Sequence, residues 1–421
     1  MPKAATAASQ TLDVTSGLRS SDIEGYYQDL HRHPELSFQE HRTAGILAER
    51  LRGAGYAVTT GVGGTGVVGV LANGDGPVVW LRGDMDALPV TETTGLPYAS
   101  TVDGVMHACG HDMHVTWLTF AAEALAAARE TWSGTLVVIG QPAEEAGGGA
   151  NAMVADGLQE RFPRPDAVFG QHVAPGPVGF VSHTPGLIMS SADDVEIVVH
   201  GVGGHGSRPE ATVDPVVTAA YIVTRLQTVV SREVSASDAV VLTTGQFNAG
   251  QRPNIIPAEA RLGLNLRTQD MAVRERVLSA IRRIAEGECQ AAGCPTPPEV
   301  TIGASFPATV NDAALDADIT SVHRELFGKA GVVDFGPAMG SEDFSLLVPA
   351  GVPYDFWFVP STSGATWQAA AGQELSEKIT GVPGNHSPLF APDLSALLPG
   401  VRTLVGAALH ELGGTGRPRD R

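Results

Sequence analysis

Short apolar runs alternate with amphipathic stretches along most of the chain. Ser21 to Gln28 and Thr43 to Ala54 carry apolar side chains at helical spacing, with Ile46, Leu47 and Leu51 on one face. Pro34 breaks any helix in the stretch between them. Val67 to Leu71 and Val78 to Leu81 are continuous strand-type runs, joined by the turn residues Asn73-Gly74-Asp75-Gly76. Leu136 to Ile139 and Ala167 to Phe169 are further buried-strand candidates. Between these pairs, Val115 to Glu130 predicts a helix with Leu118, Ala121, Ala122 and Leu125 on one face.

The pattern changes near Ser191. Val195, Ile197 and Val199 alternate with polar positions, as in a strand with one wet face. A helix over Pro215 to Val230, strands over Val240 to Thr244 and Ala260 to Leu266, a helix over Val273 to Ala291 and a strand over Glu299 to Ile302 follow. That order suits a small α+β sandwich inserted into a larger α/β domain. The expected division is 1–190 and 304–421 for the larger domain and 191–303 for the insert. After the insert come a helix over Ala314 to Phe327, a polar loop over Gly340 to Phe344, a strand over Tyr354 to Val359 and a final helix over Leu394 to Leu412. The uneven segment from Ser361 to Gly381 takes no assignment. The Ala/Ser/Thr-rich first twenty residues read as a disordered lead-in without the features of a signal peptide.

Composition narrows the partners. The formal charge of the 421-residue chain is -19, which disfavours nucleic acid and anionic lipid. No run is long and apolar enough to predict a membrane span. The three cysteines, Cys109, Cys289 and Cys294, make no disulfide framework, so the cytoplasm is the expected compartment. The glycines from Gly61 to Gly66 are not followed by Gly-Lys-Ser/Thr or by a helix, which excludes a phosphate-binding loop.

The chemistry concentrates in Met106-His107-Ala108-Cys109-Gly110-His111-Asp112-Met113-His114. Cys109 and His111 are spaced to grip one ion, and thiolate with imidazole suits a borderline metal such as zinc. Asp112 is an acid of the kind that holds a ligand histidine in orientation. A polar loop with a buried thiol is the plainer alternative. Three strand candidates each deliver metal-type side chains just past an apolar run: Asp84 and Asp86, Glu144 and Glu145, and His172. In open α/β sheets such strand ends form ligand sites. Taken singly, each is as well explained as a turn, a solvated pair or a core histidine; it is their coincidence that favours a site. His31 and His33 read as surface histidines.

At these residues the chain resembles the M20 metallopeptidase/amidohydrolase family, in the branch of aminoacylase, hippurate hydrolase and indole-acetyl-amino-acid hydrolase. The matching stretches are His33-Pro34-Glu35-Leu36-Ser37, Arg82-Gly83-Asp84-Met85-Asp86-Ala87-Leu88-Pro89, Met106 to Asp112 and Gln141-Pro142-Ala143-Glu144-Glu145. Gly203-Gly204-His205, Asn254-Ile255-Ile256-Pro257 and Ser341-Glu342-Asp343-Phe344 match as well. The resemblance implies an α/β catalytic domain like that of metal-dependent aminopeptidases, with an inserted α+β lid that also serves dimerisation. It implies two divalent ions, zinc, manganese or cobalt, on Cys109, His111, Glu145, His172 and His386. Arg82 stands where relatives carry a His-X-Asp histidine, which makes Asp84 the expected orienting acid. Glu144 is the implied general base, His205 the implied oxyanion donor from the lid, acting in its own chain or across a dimer. Asn254 and Arg267 match residues that hold a substrate carboxylate; for Arg267 the plainer alternative is a strand-end surface charge.

The implied activity is metal-dependent hydrolysis of N-acyl-L-amino acids, small-molecule substrates, by a homodimer or higher homo-oligomer. The alternative is a dipeptidase or carboxypeptidase on short peptides. A metal-binding protein without catalysis is disfavoured by the presence of Glu144 and Glu145 beside a full ligand set. The acyl group, the amino acid and the native metal are not legible.

Overall fold

A computed structural model describes residues 6–413. The chain forms two compact units, one from Met1–Ile188, Val310–Gly336 and Asp343–Arg421, the other from Met189–Thr309 and Pro337–Glu342. The short Pro337–Glu342 segment, which the sequence reading leaves in the larger part, groups with the second unit.

The first unit is built on an eight-stranded mixed sheet. Its strands lie in the order Ala57–Val62, Gly66–Asn73, Gly134–Gln141, Val78–Asp84, Ala167–Pro177, Tyr354–Thr362, Val181–Ser182 and Val332–Val333. The Gly134–Gln141, Val78–Asp84 and Ala167–Pro177 strands run parallel at its centre. Helices cover such strands on both faces, which is why they read as unbroken apolar runs rather than alternations. Trp80, Leu81, Val137, Val138, Ile139, Val168 and Phe169 are all fully buried. Register places Asp84 opposite Gln141 and Arg82 opposite Gly170, so the carboxyl ends of these strands coincide at one edge.

Two neighbouring runs do not pair as their turn suggests. Gly66–Asn73 and Val78–Asp84 follow one another, yet Gly134–Gln141 lies between them, antiparallel to the first and parallel to the second. A turn reverses direction without fixing the partner, and a strand buried at the centre of a sheet needs both its edges bonded.

The disordered lead-in expected over the first twenty residues is corrected from residue 6 onward; residues 1–5 lie outside the described residues. Ala7–Thr15 is a helix, opened by Thr6, whose hydroxyl accepts the Ser9 N–H at 3.2 Å. Ala7, Ala8, Thr11 and Thr15 form its buried face against the final helix, Leu397–Leu412. The same small side chains that look like low complexity permit close approach: a Cβ on Gly406 would stand 3.4 Å from Thr11 Oγ1. Both threonine hydroxyls are satisfied by carbonyls one turn back, at 2.7 and 2.8 Å. The unassigned 361–381 segment contains two short helices, Gly364–Ala369 and Leu375–Thr380, the second opened by a Glu374/Glu377 capping box. Neither buries a residue, so neither left an apolar signal.

His31, expected at the surface, is buried, with Nδ1 2.6 Å from Asp112 and Nε2 3.4 Å from Glu92. Burial alone would lower its pKa; Asp112 and Glu92 outweigh that and raise it to about 9. The folded pKa lies above the unfolded one, so this stability is fully present below pH about 6.5 and is lost as pH rises through about 9. The shift corresponds to about 3 kcal/mol. His31→Gln is expected to destabilise the fold by a similar amount and to flatten its alkaline stability profile. Urea unfolding at pH 6 and pH 10 checks this; an unchanged profile would refute it.

The second unit is a four-stranded antiparallel sheet in the order Val240–Ala249, Glu259–Thr268, Ser191–His200, Glu299–Phe306. Helices Pro215–Thr228 and Met271–Ala292 bury Ile222, Leu226, Val277 and Ile281 with Ile197, Val199, Leu262 and Leu264 in its core. Asp214 and Asp270 cap them, accepting backbone N–H groups at 2.8 and 2.7 Å. This is the α+β sandwich that the pattern predicts. Among the described residues no helix is long and apolar enough to cross a membrane.

Candidate metal centre and active site

All five expected metal ligands converge in the first unit. The cluster Cys109, His111 and His172 and the cluster Cys109, Glu145 and His386 each bring their donor atoms within 4.8 Å of one another, and Cys109 belongs to both. Cys109 precedes Gly110, which has φ 86° and opens the helix His111–Ala127. A Cβ at Gly110 would stand 2.4 Å from Val173 Cγ1, so only glycine fits between the two ligands. His172 lies within the Ala167–Pro177 strand, and its Nδ1 donates to the Val173 carbonyl at 2.6 Å. That bond fixes the tautomer and turns Nε2 toward Cys109 Sγ, 3.5 Å away.

The glutamates follow a sharp corner at the end of Gly134–Gln141. Ala143 takes φ 48°, a left-handed conformation costly for a residue with a Cβ. His386 is also left-handed, at φ 70°. Its N–H donates to the Ala108 carbonyl at 2.7 Å, while the Asn385 amide donates to the Cys109 carbonyl at 2.9 Å. The loop that carries His386 is thereby tied to the loop that carries Cys109, and His386 Nε2 stands 3.2 Å from Glu145 Oε1.

Asp86 organises the centre. Its Oδ1 accepts from His111 Nδ1 at 3.1 Å and from the Glu144 N–H at 3.1 Å. Its Oδ2 accepts from the Glu145 N–H at 3.0 Å and from the Ser37 hydroxyl at 2.7 Å. This corrects the expectation that Asp84 orients the ligand histidine. Asp84 instead accepts from His114 Nδ1 at 2.5 Å and from Arg82 Nη1 at 2.7 Å. The two acids are two apart on one extended segment, so spacing could not separate them. Asp112 is corrected too: it bonds His31 and the Met113 N–H rather than a ligand histidine.

His114 lies close to Asp84 and His111 but is spoken for. Its Nε2 accepts the Val173 N–H at 2.9 Å, so a neutral ring carries its proton on Nδ1, facing Asp84. No lone pair remains for an ion. Arg82 is fully enclosed, donating from Nε to Gln141 at 2.8 Å as well as to Asp84, and Asp343 is 3.4 Å from its Nη2. Burial raises Asp343 to about 6, whereas Arg82, His111 and His114 overcome burial and hold Asp84 well below its ordinary range.

The remaining donors fit a cation. His111 Nε2 is buried without a hydrogen-bond partner, and Glu145 Oε1 meets the His386 ring, itself an expected ligand, at 3.2 Å. His111 Nε2 faces Asp84 at 3.6 Å and Glu144 and Glu145 at 3.9 Å each. Burial pushes the Cys109 thiol well above its usual pKa, and Glu145, Glu144 and Asp84 push it further. A thiolate there therefore calls for positive charge beside it.

The expected lid residues lie in the second unit. Gly204–His205 forms a two-residue ladder with Ile255–Ile256, and the Gly206 N–H donates to the Asn254 carbonyl at 2.9 Å. His205 and Asn254 are thus neighbours, both exposed. Arg267, on the Glu259–Thr268 strand, donates to Asn265 Oδ1 at 3.0 Å and the Met339 carbonyl at 2.8 Å.

A buried thiol–imidazole–carboxylate cluster at the carboxyl ends of parallel strands, with two adjacent glutamates, defines a metal-dependent hydrolase. The family model "Peptidase family M20/M25/M40" matches residues 80–374, and the chain belongs to that family of hydrolases acting on amides. It is 41% identical over 336 residues to a hippurate hydrolase of Campylobacter jejuni, covering 77% of this chain and 86% of that one. It is 37% identical over 389 residues to thermostable carboxypeptidase 2 of Saccharolobus solfataricus, covering 91% and 92%. The crystal structure of the Bacillus subtilis YXEP protein, titled a dinuclear metal binding peptidase from the M20 family, superposes with a TM-score of 0.74. That match has 29% identity and covers 93% of this chain and 98% of that one.

The Asp86 assignment has its own test. Asp86→Asn is expected to weaken metal binding and turnover by roughly 10- to 100-fold, the usual effect of losing a support behind a ligand. Metal titration with a competing chelator checks it; wild-type affinity would return the orienting role to Asp84.

Proposed function

We propose that the chain hydrolyses the amide bond of N-acyl-L-amino acids, releasing a carboxylic acid and an amino acid, with two divalent ions held by Cys109, His111, Glu145, His172 and His386. The observation that carries this reading is a buried cluster whose thiol belongs to two three-donor sets, with His111 Nε2 in it left without a hydrogen-bond partner. Cys109, His111 and His172, with Glu145 and His386, would supply the donors for these ions. The donor types suit zinc, manganese or cobalt.

Divalent ions held by these residues would supply a water of lowered pKa and polarise an amide carbonyl. Glu144 takes a proton from the attacking water and returns it to the leaving nitrogen. Asp86 keeps the His111 ring and both glutamate backbones in place through three accepted hydrogen bonds, and a fourth from the Ser37 hydroxyl holds Asp86 itself. His205 donates to the carbonyl oxygen as it gains charge. Asn254 and Arg267 hold the substrate carboxylate, for which a guanidinium offers paired donors. The second unit acts as lid and dimerisation surface of a homodimer or higher homo-oligomer. The three free cysteines are in keeping with a cytoplasmic setting.

Cys109→Ala and His111→Ala are expected to lose most bound metal, as measured by elemental analysis after dialysis. Full occupancy in both would end this reading. The likeness to a carboxypeptidase supports a second one, hydrolysis of short peptides. Turnover of acetyl, benzoyl, long-chain acyl and indole-acetyl amino acids is expected to exceed that of dipeptides with a free amino group. The reverse order would favour the peptidase.

A further inference from the structure

The first unit buries a second group of donors that the proposed chemistry does not use. His183 follows the Val181–Ser182 strand, Asp316 lies in the first turn of the helix Ala313–Phe327, and Asp355 lies near the start of the Tyr354–Thr362 strand. They are 3%, 4% and 0% exposed. His183 Nδ1 is 3.1 Å from Asp316 Oδ1 and 3.7 Å from Asp355 Oδ2. Neither oxygen of Asp355 has a hydrogen-bond partner. His183 and Asp316 also line a pocket of about 320 Å³, together with Thr320, Arg324 and Asp334.

The groups behind His183 determine where its proton sits. The Thr403 carbonyl can only accept, so His323 Nε2, 3.1 Å away, carries a hydrogen. A neutral His323 then has a bare Nδ1, and His183 Nε2, 2.7 Å away, must donate to it. A neutral His183 is left with a bare Nδ1 lone pair aimed at two carboxylates. Three acceptors facing one another at these distances need either a cation or a shared proton between them.

We propose that His183 Nδ1, Asp316 and Asp355 form a divalent-cation site separate from the catalytic centre, with His323 and the Thr403 carbonyl as its support. Neighbouring ligands of a tetrahedral ion with bonds of about 2.0–2.1 Å lie about 3.3 Å apart, and the distances of 3.1 and 3.7 Å bracket that value. Two carboxylates match the charge of one divalent ion, and two of the three residues, His183 and Asp316, border the pocket. The rival occupant is a proton on Asp355 shared with Asp316, since burial and Asp316 both push the Asp355 carboxyl well upward.

Metal content separates the two. The full chain is dialysed against zinc, and in parallel manganese, and metal per subunit is measured for wild type, Asp355→Asn, Cys109→Ala and the double variant. Asp355→Asn is expected to hold one equivalent fewer than wild type, and the double variant one fewer than Cys109→Ala. Cys109→Ala should also melt higher on adding zinc, as a ligand of the native state dictates, and the double variant should not. Equal metal content with and without Asp355, and no zinc-dependent melting, would assign the site to a proton and overturn the proposal. If Asp355→Asn fails to fold, Asp316→Asn is read in the same way. Because the comparison is also made in the Cys109→Ala background, a failure of the catalytic assignment shows up as a different loss.

Discussion

Glu144→Gln is expected to retain its metal and lose kcat by roughly 10²–10⁴, the usual worth of general acid–base catalysis. Glu144 is buried, its own N–H is held by Asp86, and its Oε2 lies 3.9 Å from His111 Nε2. The carboxylate thus faces the donor cluster, with its backbone N–H bonded to Asp86. Glutamine keeps its shape and hydrogen bonding but cannot accept a proton. Glu145→Gln should behave differently, because Glu145 Oε1 belongs to the donor set with Cys109 and His386 and stands 3.2 Å from His386 Nε2. It should loosen the metal and lower kcat only as far as occupancy falls. Elemental analysis beside single-turnover rates distinguishes the adjacent glutamates. A near-normal kcat for fully loaded Glu144→Gln would move the base elsewhere.

Those two glutamates illustrate what the sequence could tell. Apolar runs ending in acids or histidine revealed the central parallel strands and, with them, Glu144, Glu145 and His172, because burial on both faces leaves an unbroken hydrophobic signature. The alternation after Ser191 revealed the sandwich for the complementary reason that one of its faces is wet. His386 left no such trace. It lies on an irregular loop at φ 70°, and its place beside Cys109 depends on bonds from Asn385 to a segment far away in the chain. Family resemblance alone brought it in. Asp84 and Asp86 were interchangeable on paper because the difference between them lies in which neighbours they meet: His114 and Arg82 for one, His111 and two backbone amides for the other. His31 went unread because a histidine beside Arg32 looks solvated until Asp112 and Glu92 enclose it.

His205→Ala is expected to keep its fold and metal and to lose kcat by roughly 10²–10³, the usual effect of removing one oxyanion donor. His205 is exposed, so no core depends on it. Its Nδ1 accepts the Ser207 N–H at 3.2 Å, with the Ser207 hydroxyl at 2.8 Å. A neutral ring in that setting carries its hydrogen on Nε2, the arrangement a donor to an oxyanion needs. The short ladder with Ile255–Ile256 fixes the backbone beneath it. His205→Gln, which also offers an N–H, should recover part of the rate without changing the metal content. Mixing His205→Ala with Glu144→Gln subunits then asks which chain the histidine serves. If it acts across a dimer, the mixed species contains one site with both an intact glutamate and an intact histidine, and activity returns. Subunit exchange confirmed by mass with no activity regained would confine the histidine to its own chain. Full kcat in His205→Ala would remove it from the mechanism.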